Sequence, residues 1–187
     1  KGEQSVTLQY ALFLQKKFPQ HAFRFRHVAQ QINALERDPA AFQAALDDVK
    51  SADAVMWAFP LYFMLVHGSY KRFIELIWER QAQSVFAGKY ATAISTSVHF
   101  YDHTAHNYMQ AICDDLDMRY LAGYSAKMDD LTRETERQNF LRFAEQTFAA
   151  ITAKQPTVKA YAPISPPAAY RSAAEVRPAQ ARNLRIV

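Results

Sequence analysis

Ser51-Ala52-Asp53-Ala54-Val55-Met56-Trp57-Ala58-Phe59-Pro60-Leu61-Tyr62-Phe63-Met64 is the stretch on which the reading of the fold turns. Its apolar run, Ala54 to Phe59, stops at Pro60, which restrains the backbone and removes a donor. An aromatic, nearly uncharged loop follows, and a helical pattern begins near Leu65. Strand, loop and helix in that order predict a βα unit. In an open α/β sheet, a loop at the carboxyl end of a strand is where ligands bind. Pro60, Leu61, Tyr62 and Phe63 carry almost no acid–base chemistry, so they suit contact with a flat apolar ligand rather than hydrolysis.

The same alternation extends outward in both directions. Ser5 reads as the N-cap of a helix over 5–17, with Val6, Tyr10, Phe13 and Leu14 on one face. A short strand is expected near Ala22–Val28, where Phe23, Phe25 and Val28 supply the apolar positions. Asp38-Pro39 is a helix start, and Phe42, Leu46 and Val49 then recur at helical spacing. After the strand over 53–58 come a helix over about 66–80, a strand over 89–95, a helix over 104–116, a strand-like stretch over 119–124 and a long helix over 132–152. Short strands separated by helical patterns predict an α/β protein with a doubly wound parallel sheet.

Composition narrows the class. A chain of 187 residues is long enough for one domain plus extra chain, and 50% hydrophobic residues supply a sizeable core. No apolar run reaches the length of a membrane span, and the polar start Lys1-Gly2-Glu3-Gln4-Ser5 lacks the apolar core of a signal peptide, so a cytoplasmic location is expected. Cys113 is the single cysteine, which excludes an internal disulfide and a cysteine-held iron–sulfur cluster. The net charge of +4 is unevenly spread. Lys154, Lys159, Arg171, Arg177, Arg182 and Arg185 against Glu175 give the segment after Thr152 about +5, leaving about −1 for Lys1–Thr152. A folded body so nearly neutral argues against nucleic acid as a partner. Pro156, Pro163, Pro166, Pro167 and Pro178 break the 153–187 tail, in which Tyr161 and Tyr170 are candidate anchors and Asn183–Val187 a candidate strand.

Three places bear chemistry. Gly2-Glu3-Gln4-Ser5-Val6-Thr7 precedes the first helix, where backbone N–H groups and hydroxyls suit a phosphate, although a Ser N-cap is also ordinary helix grammar. Pro60-Leu61-Tyr62-Phe63 suits the wall of a cofactor pocket or, more plainly, the core filling of a βα turn. Ser95-Thr96-Ser97-Val98-His99-Phe100-Tyr101-Asp102 lies at the same end of the next strand, with hydroxyl and N–H donors for a heterocycle. His99, His103 and His106 with Asp102 do not form a strong metal spacing, so no metal is expected. There is no Walker sequence, no glycine-rich dinucleotide fingerprint and no Gly-x-Ser-x-Gly elbow. Cys113 falls on the apolar face of a helix, as a small core residue does.

The order of these features resembles the NAD(P)H-dependent FMN reductase family of the flavodoxin-like superfamily. Lys1–Thr7 is similar to the end of its phosphate loop, Ser51–Tyr62 to its strand followed by x-Pro-x-Tyr, Lys71-Arg72-Phe73-Ile74-Glu75 to its Lys-x-Phe-(Ile/Leu)-Asp helix, and Gly88-Lys89-Tyr90-Ala91 to the entry of its fourth strand. The resemblance implies a three-layer flavodoxin-like domain over 1–152 with strand order 2-1-3-4-5. It implies FMN as cofactor and NADH or NADPH as co-substrate. Gly2, Ser5 and Thr7 would sit at the phosphate, Pro60, Leu61, Tyr62 and Phe63 beside the isoalloxazine, and Thr96, Ser97 and His99 along its other edge. Hydride would pass from NAD(P)H to the flavin, and electrons onward to a quinone, flavin, nitro compound or protein acceptor, in a homodimer. Two departures stand out: the loop after the fourth strand carries side chains where the family often has glycines, and the expected central first strand is missing from the N-terminus, with Asn183–Val187 a candidate to fill its place. The competing function is a flavodoxin-like protein-binding or assembly module without a catalytic flavin.

Overall fold

The computed structural model describes residues 5–162. Two strands and the helices packed on them define the frame. Strand β1 (Ala54–Pro60) and strand β2 (Tyr90–Ser97) run parallel, in register from Ala54 opposite Tyr90 to Pro60 opposite Thr96. On its other side β2 pairs in parallel first with β3 (Arg119–Tyr120) and then with β4 (Tyr124–Lys127). Every residue of β2 is buried, as expected for a strand with neighbours on both edges and helices on both faces.

Side chains alternate across the sheet and so build two cores. Trp57, Phe59, Ala91 and Ala93 face α2 (Ile32–Arg37), α3 (Pro39–Ser51), α4 (Gly68–Glu79) and α5 (Asp102–Asp115), whose Leu35, Phe42, Leu46, Tyr70, Phe73, Ile77, Met109 and Cys113 complete the larger core. Met56, Ile94 and Ala126 face α1 (Val6–Lys17) and α6 (Glu134–Thr152), which contribute Tyr10, Leu14, Phe140 and Ala144. The result is the three-layer α/β arrangement expected from the sequence. Asp38 caps α3 through Ala40 N–H, with Pro39 in the first turn, as the Asp-Pro pair predicts.

The differences from expectation have local causes. Ala22–Val28 forms no strand. Its extended part runs along the far side of a groove from β1, has no backbone pairing partner among the described residues, and is held by Arg24 and Arg26 on Asp48. The described strands run in the order β1-β2-β3, with β4 also paired to β2, and not in the full 2-1-3-4-5 order expected. The strand expected over 119–124 is split in two. Leu121 N–H still reaches Ala91 O at 2.7 Å, but the Ala122 carbonyl accepts the Thr92 hydroxyl at 2.8 Å, and Gly123 lies under the His106 ring. β2 continues two residues past its expected end, so Thr96 and Ser97 belong to the strand. Helix α2 was not anticipated because Pro39 separates its single turn and a half from the stronger pattern of α3.

The chain after α6 is tied to the amino-end edge of the sheet. Tyr90 OH donates to Gln155 O at 2.8 Å, and buried Asp114 accepts the N–H groups of Ala160 and Tyr161 at 2.8 and 3.0 Å. Lys159 adds an ion pair to Asp117 at 2.8 Å. Tyr161 is thus anchored through its backbone; Tyr170 and the candidate strand Asn183–Val187 lie outside the described residues. No helix among the described residues is long and apolar enough to cross a membrane.

Candidate functional site

The carboxyl ends of β1 and β2 and the start of α1 converge. Leu61 N–H donates to Thr96 O at 3.0 Å, extending the ladder one residue past Pro60. Because Leu61 faces β2, the nitrogen of Pro60 faces the other edge of β1, where its missing proton breaks no bond to β2. Ser5 caps α1 by accepting Leu8 N–H, and the Thr7 and Thr96 hydroxyls bond each other at 2.6 Å. Tyr10 OH reaches Lys127 O at 2.5 Å, tying α1 to the end of β4 as well. Burial and the Asp130 charge push the Tyr10 phenol up to about 12, which keeps it a donor. The first N–H groups of α1 have no intrahelical acceptor and carry the positive end of the helix dipole.

Past Leu61 the chain makes a two-residue turn closed by Tyr62 N–H to Leu65 O at 2.9 Å and Leu65 N–H to Tyr62 O at 3.2 Å. Its central residues, Phe63 at φ 44° and Met64 at φ 73°, are both left-handed, a geometry that usually calls for Asn-Gly. Phe63 is 84% exposed and its ring lies 6.5 Å from that of Phe100 in the neighbouring loop. Val98, Phe100, Tyr101 and Met128 are also exposed, giving the ends of β1, β2 and β4 an apolar rim.

Each hydroxyl of the Ser95-Thr96-Ser97 row has a protein partner. Ser95 bonds His106 Nε2 at 2.8 Å, Thr96 bonds Thr7, and Ser97 donates to Asp102. Burial lowers the His106 pKa against the opposing pull of Asp102, so the ring is held neutral. His99 Nδ1 turns to Asp102 Oδ2 at 3.2 Å. The histidines thus serve separate partners, and among the described residues no group of three His, Cys, Asp or Glu is placed to hold a metal. Cys113 is buried and its thiol is pushed well up by burial, which leaves it a core residue.

Ser5, Thr7, Pro60, Leu61, Tyr62, Phe63, Thr96 and Ser97 all line one groove of about 1990 Å³. His99 is not on that wall, and Gly2 lies outside the described residues. The groove exceeds the ~300–1,000 Å³ of an ordinary small-molecule site. It joins the strand-end space to a channel along the edge of β1 that pairs with no described strand, bounded by Phe23, Arg24, Phe25 and Val28. Residues that sequence reasoning did not single out are Ser125 and Met128, while His106, weighed there as a metal ligand, instead bonds Ser95.

A parallel α/β sheet with an anion-suited helix start and an aromatic, uncharged strand-end loop defines a class of α/β protein whose ligand site lies at the carboxyl ends of its strands. The model of the NADPH-dependent FMN reductase family matches residues 2–130, and this chain belongs to that family. It is therefore an NAD(P)H-dependent FMN oxidoreductase, with FMN as cofactor and NAD(P)H as co-substrate. No curated protein sequence matches the chain. Among solved structures, an NADH:FMN oxidoreductase (EMOB) in its apo form is similar at 18% identity, over 81% of this chain and 82% of that one, with a TM-score of 0.60. RosB with a bound 8-demethyl-8-formylriboflavin-5'-phosphate intermediate aligns at 11% identity over 100% of this chain and 93% of that one, TM-score 0.60. General stress protein 14 from Treponema denticola in complex with FMN aligns at 12% identity over 81% and 92%, TM-score 0.54. These likenesses establish a common fold.

The residues present fit FMN. The start of α1 offers N–H donors and the Ser5 hydroxyl to a phosphate. Pro60, Leu61, Tyr62 and Phe63 offer a wall without charge to a flat ring, and Asp102 at the end of β2 is buried beneath its own hydrogen bonds.

Proposed function

We propose that the chain holds FMN across the carboxyl ends of β1 and β2, takes reducing equivalents from NAD(P)H, and delivers them to a small, flat, uncharged acceptor such as a quinone, a flavin or a nitro compound. When bound, FMN supplies the redox chemistry, accepting hydride from NAD(P)H and passing electrons on. In this reading Ser5 and the first turn of α1 hold the phosphate, with Gly2 shaping the approach. Thr7, fastened to Thr96, fixes the helix start against the sheet. Pro60, Leu61, Tyr62 and Phe63 border the ring, Thr96 and Ser97 stand along its other edge, and His99 lies behind them. The protein orients the ring and excludes water from it.

The observation that carries the acceptor class is the rim itself: Phe63, Val98, Phe100, Tyr101 and Met128 are exposed together, and none bears a charge. Such a rim favours an apolar planar molecule over an anionic one. The test is steady-state oxidation of NADH and of NADPH by the FMN-loaded protein with a quinone, free flavin or nitroaromatic acceptor. Turnover that rises with a flat uncharged acceptor supports the reading; no oxidation with any of them contradicts it. A homodimer belongs to the same reading, since a second copy laid over the rim would cover its exposed rings. Sedimentation at micromolar concentration that shows only monomer would remove that part.

A further inference from the structure

The turn after β2 is built around one carboxylate. Asp102, the first residue of α5, is buried. The Ser97 hydroxyl lies 2.8 and 2.7 Å from its two oxygens, Ser125 Oγ donates to Oδ2, and His99 Nδ1 lies 3.2 Å from Oδ2. The Ser97 oxygen in turn accepts the His99 N–H at 2.7 Å. One side chain thus gathers the end of β2, the turn that leaves it and the middle of β4. Burial alone would raise the Asp102 pKa, but the hydrogen bonds from Ser125, Ser97 and His99 outweigh it and hold the carboxyl below its ordinary value. The group is ionised and acceptor-only, so its donors are held to it.

The turn it gathers is one that the backbone resists. His99 at φ 61° and Tyr101 at φ 55° are both left-handed, and neither is glycine. Such positions persist where surrounding bonds over-determine them, and they gather at functional sites. The turn also projects apolar side chains away from the body, with Val98 75% exposed and Phe100 and Tyr101 stacked edge-on at 4.7 Å. A loop that glycines would have made permissive is here held in one shape by a carboxylate staple.

We propose that Asp102 is a positioning residue for the flavin: through Ser97, His99 and Ser125 it holds the Val98–Tyr101 turn as a fixed wall of the strand-end site, and its buried charge holds down the reduction potential of the bound cofactor. This rests on the placement of FMN proposed above. The sign follows from electrostatics, because a fixed negative charge near a ring opposes the addition of electrons to it. The Asp102→Ala variant loses both the staple and the charge, whereas Asp102→Asn keeps an acceptor oxygen for the serines and loses the charge.

The test uses the full-length protein and FMN. Wild-type binding of FMN is measured first, followed by chymotryptic cleavage at Phe100 and Tyr101 in the FMN-free protein, FMN affinity, and the potential of bound FMN. Asp102→Ala is expected to be cleaved at least tenfold faster at the turn and to bind FMN about tenfold more weakly. Asp102→Asn is expected to be cleaved at close to the wild-type rate and to shift the potential of bound FMN to a more positive value. If Asp102→Ala does not fold, the Asn variant carries the test through the potential. A folded variant set with wild-type affinity and wild-type potential would overturn the proposal even if cleavage accelerates. A wild-type protein that binds no FMN would overturn the flavin placement itself, and this proposal with it; that failure is visible before any variant is made.

Discussion

His106 and Gly123 form the tightest side-chain constraint near the site. A Cβ on Gly123 would run into the His106 ring and press on Ala93 O at 3.0 Å. Gly123→Ala is therefore expected to cost about 1–3 kcal/mol as an overpacking change, read from the denaturant midpoint; unchanged stability would contradict the contact. His106 also sets an acid limit. Its pKa is lowered in the fold by burial, so its contribution is intact above the unfolded value near 6.5 and is lost as pH falls through the lower folded value. Asp102 is lowered as well, and its contribution is lost only at more acid pH, below its ordinary value of 3.8. Unfolding followed from pH 7.5 to 5 should show stability falling in wild type and a flatter profile in His106→Gln; parallel profiles would contradict it. Tyr62, half-exposed with its ring 5.1 Å from His67, is expected to be a ligand contact more than a core residue. Tyr62→Ala should weaken FMN binding about tenfold while changing stability by no more than about 0.5 kcal/mol, the range of an exposed site. A variant that simply unfolds would show that Tyr62 is core.

At the scale of elements, the segment Gln155–Tyr161 behaves as a strap on the edge opposite the site. Asp114→Ala should speed amide exchange at Ala160 and Tyr161 and tryptic cleavage after Lys159, with FMN affinity unchanged. Protection equal to wild type would show that Tyr90 and Lys159 suffice. Much of the element pattern was legible because it rests on local chemistry. Asp38-Pro39 starts a helix wherever it sits, and the run Ala54–Phe59 is apolar enough to be a buried strand in any parallel sheet. Ala22–Val28 failed for the opposite reason: a strand needs a partner, and the pairing edge beside it belongs to no described residue. The split between β3 and β4 was equally hidden, since it depends on a histidine from α5 meeting a glycine seventeen positions later. Of the site, Pro60–Phe63, Thr7 and Thr96 were readable as strand-end and helix-start residues. The staple was not, because Ser125 reaches Asp102 only once β4 is laid beside β2.

At the scale of the molecule, a sheet built on βα units gathers its loops on one edge and ties the following chain to the other. The strand-end edge gathers the helix start, the uncharged loop and, through Val98 and Phe100, the stapled turn around one groove, and it is there that we propose FMN is held. With the body near neutral, cofactor binding is expected to depend on local donors and apolar contact more than on overall charge. The most direct measurement is the stoichiometry and affinity of FMN for the purified full-length protein, by flavin absorbance and fluorescence titration, in wild type and in Tyr62→Ala. One FMN per chain in wild type, with affinity reduced in Tyr62→Ala at unchanged stability, is the expected result. Absence of saturable FMN binding, or equal affinity in the two proteins, would contradict a flavin seated against Pro60–Phe63.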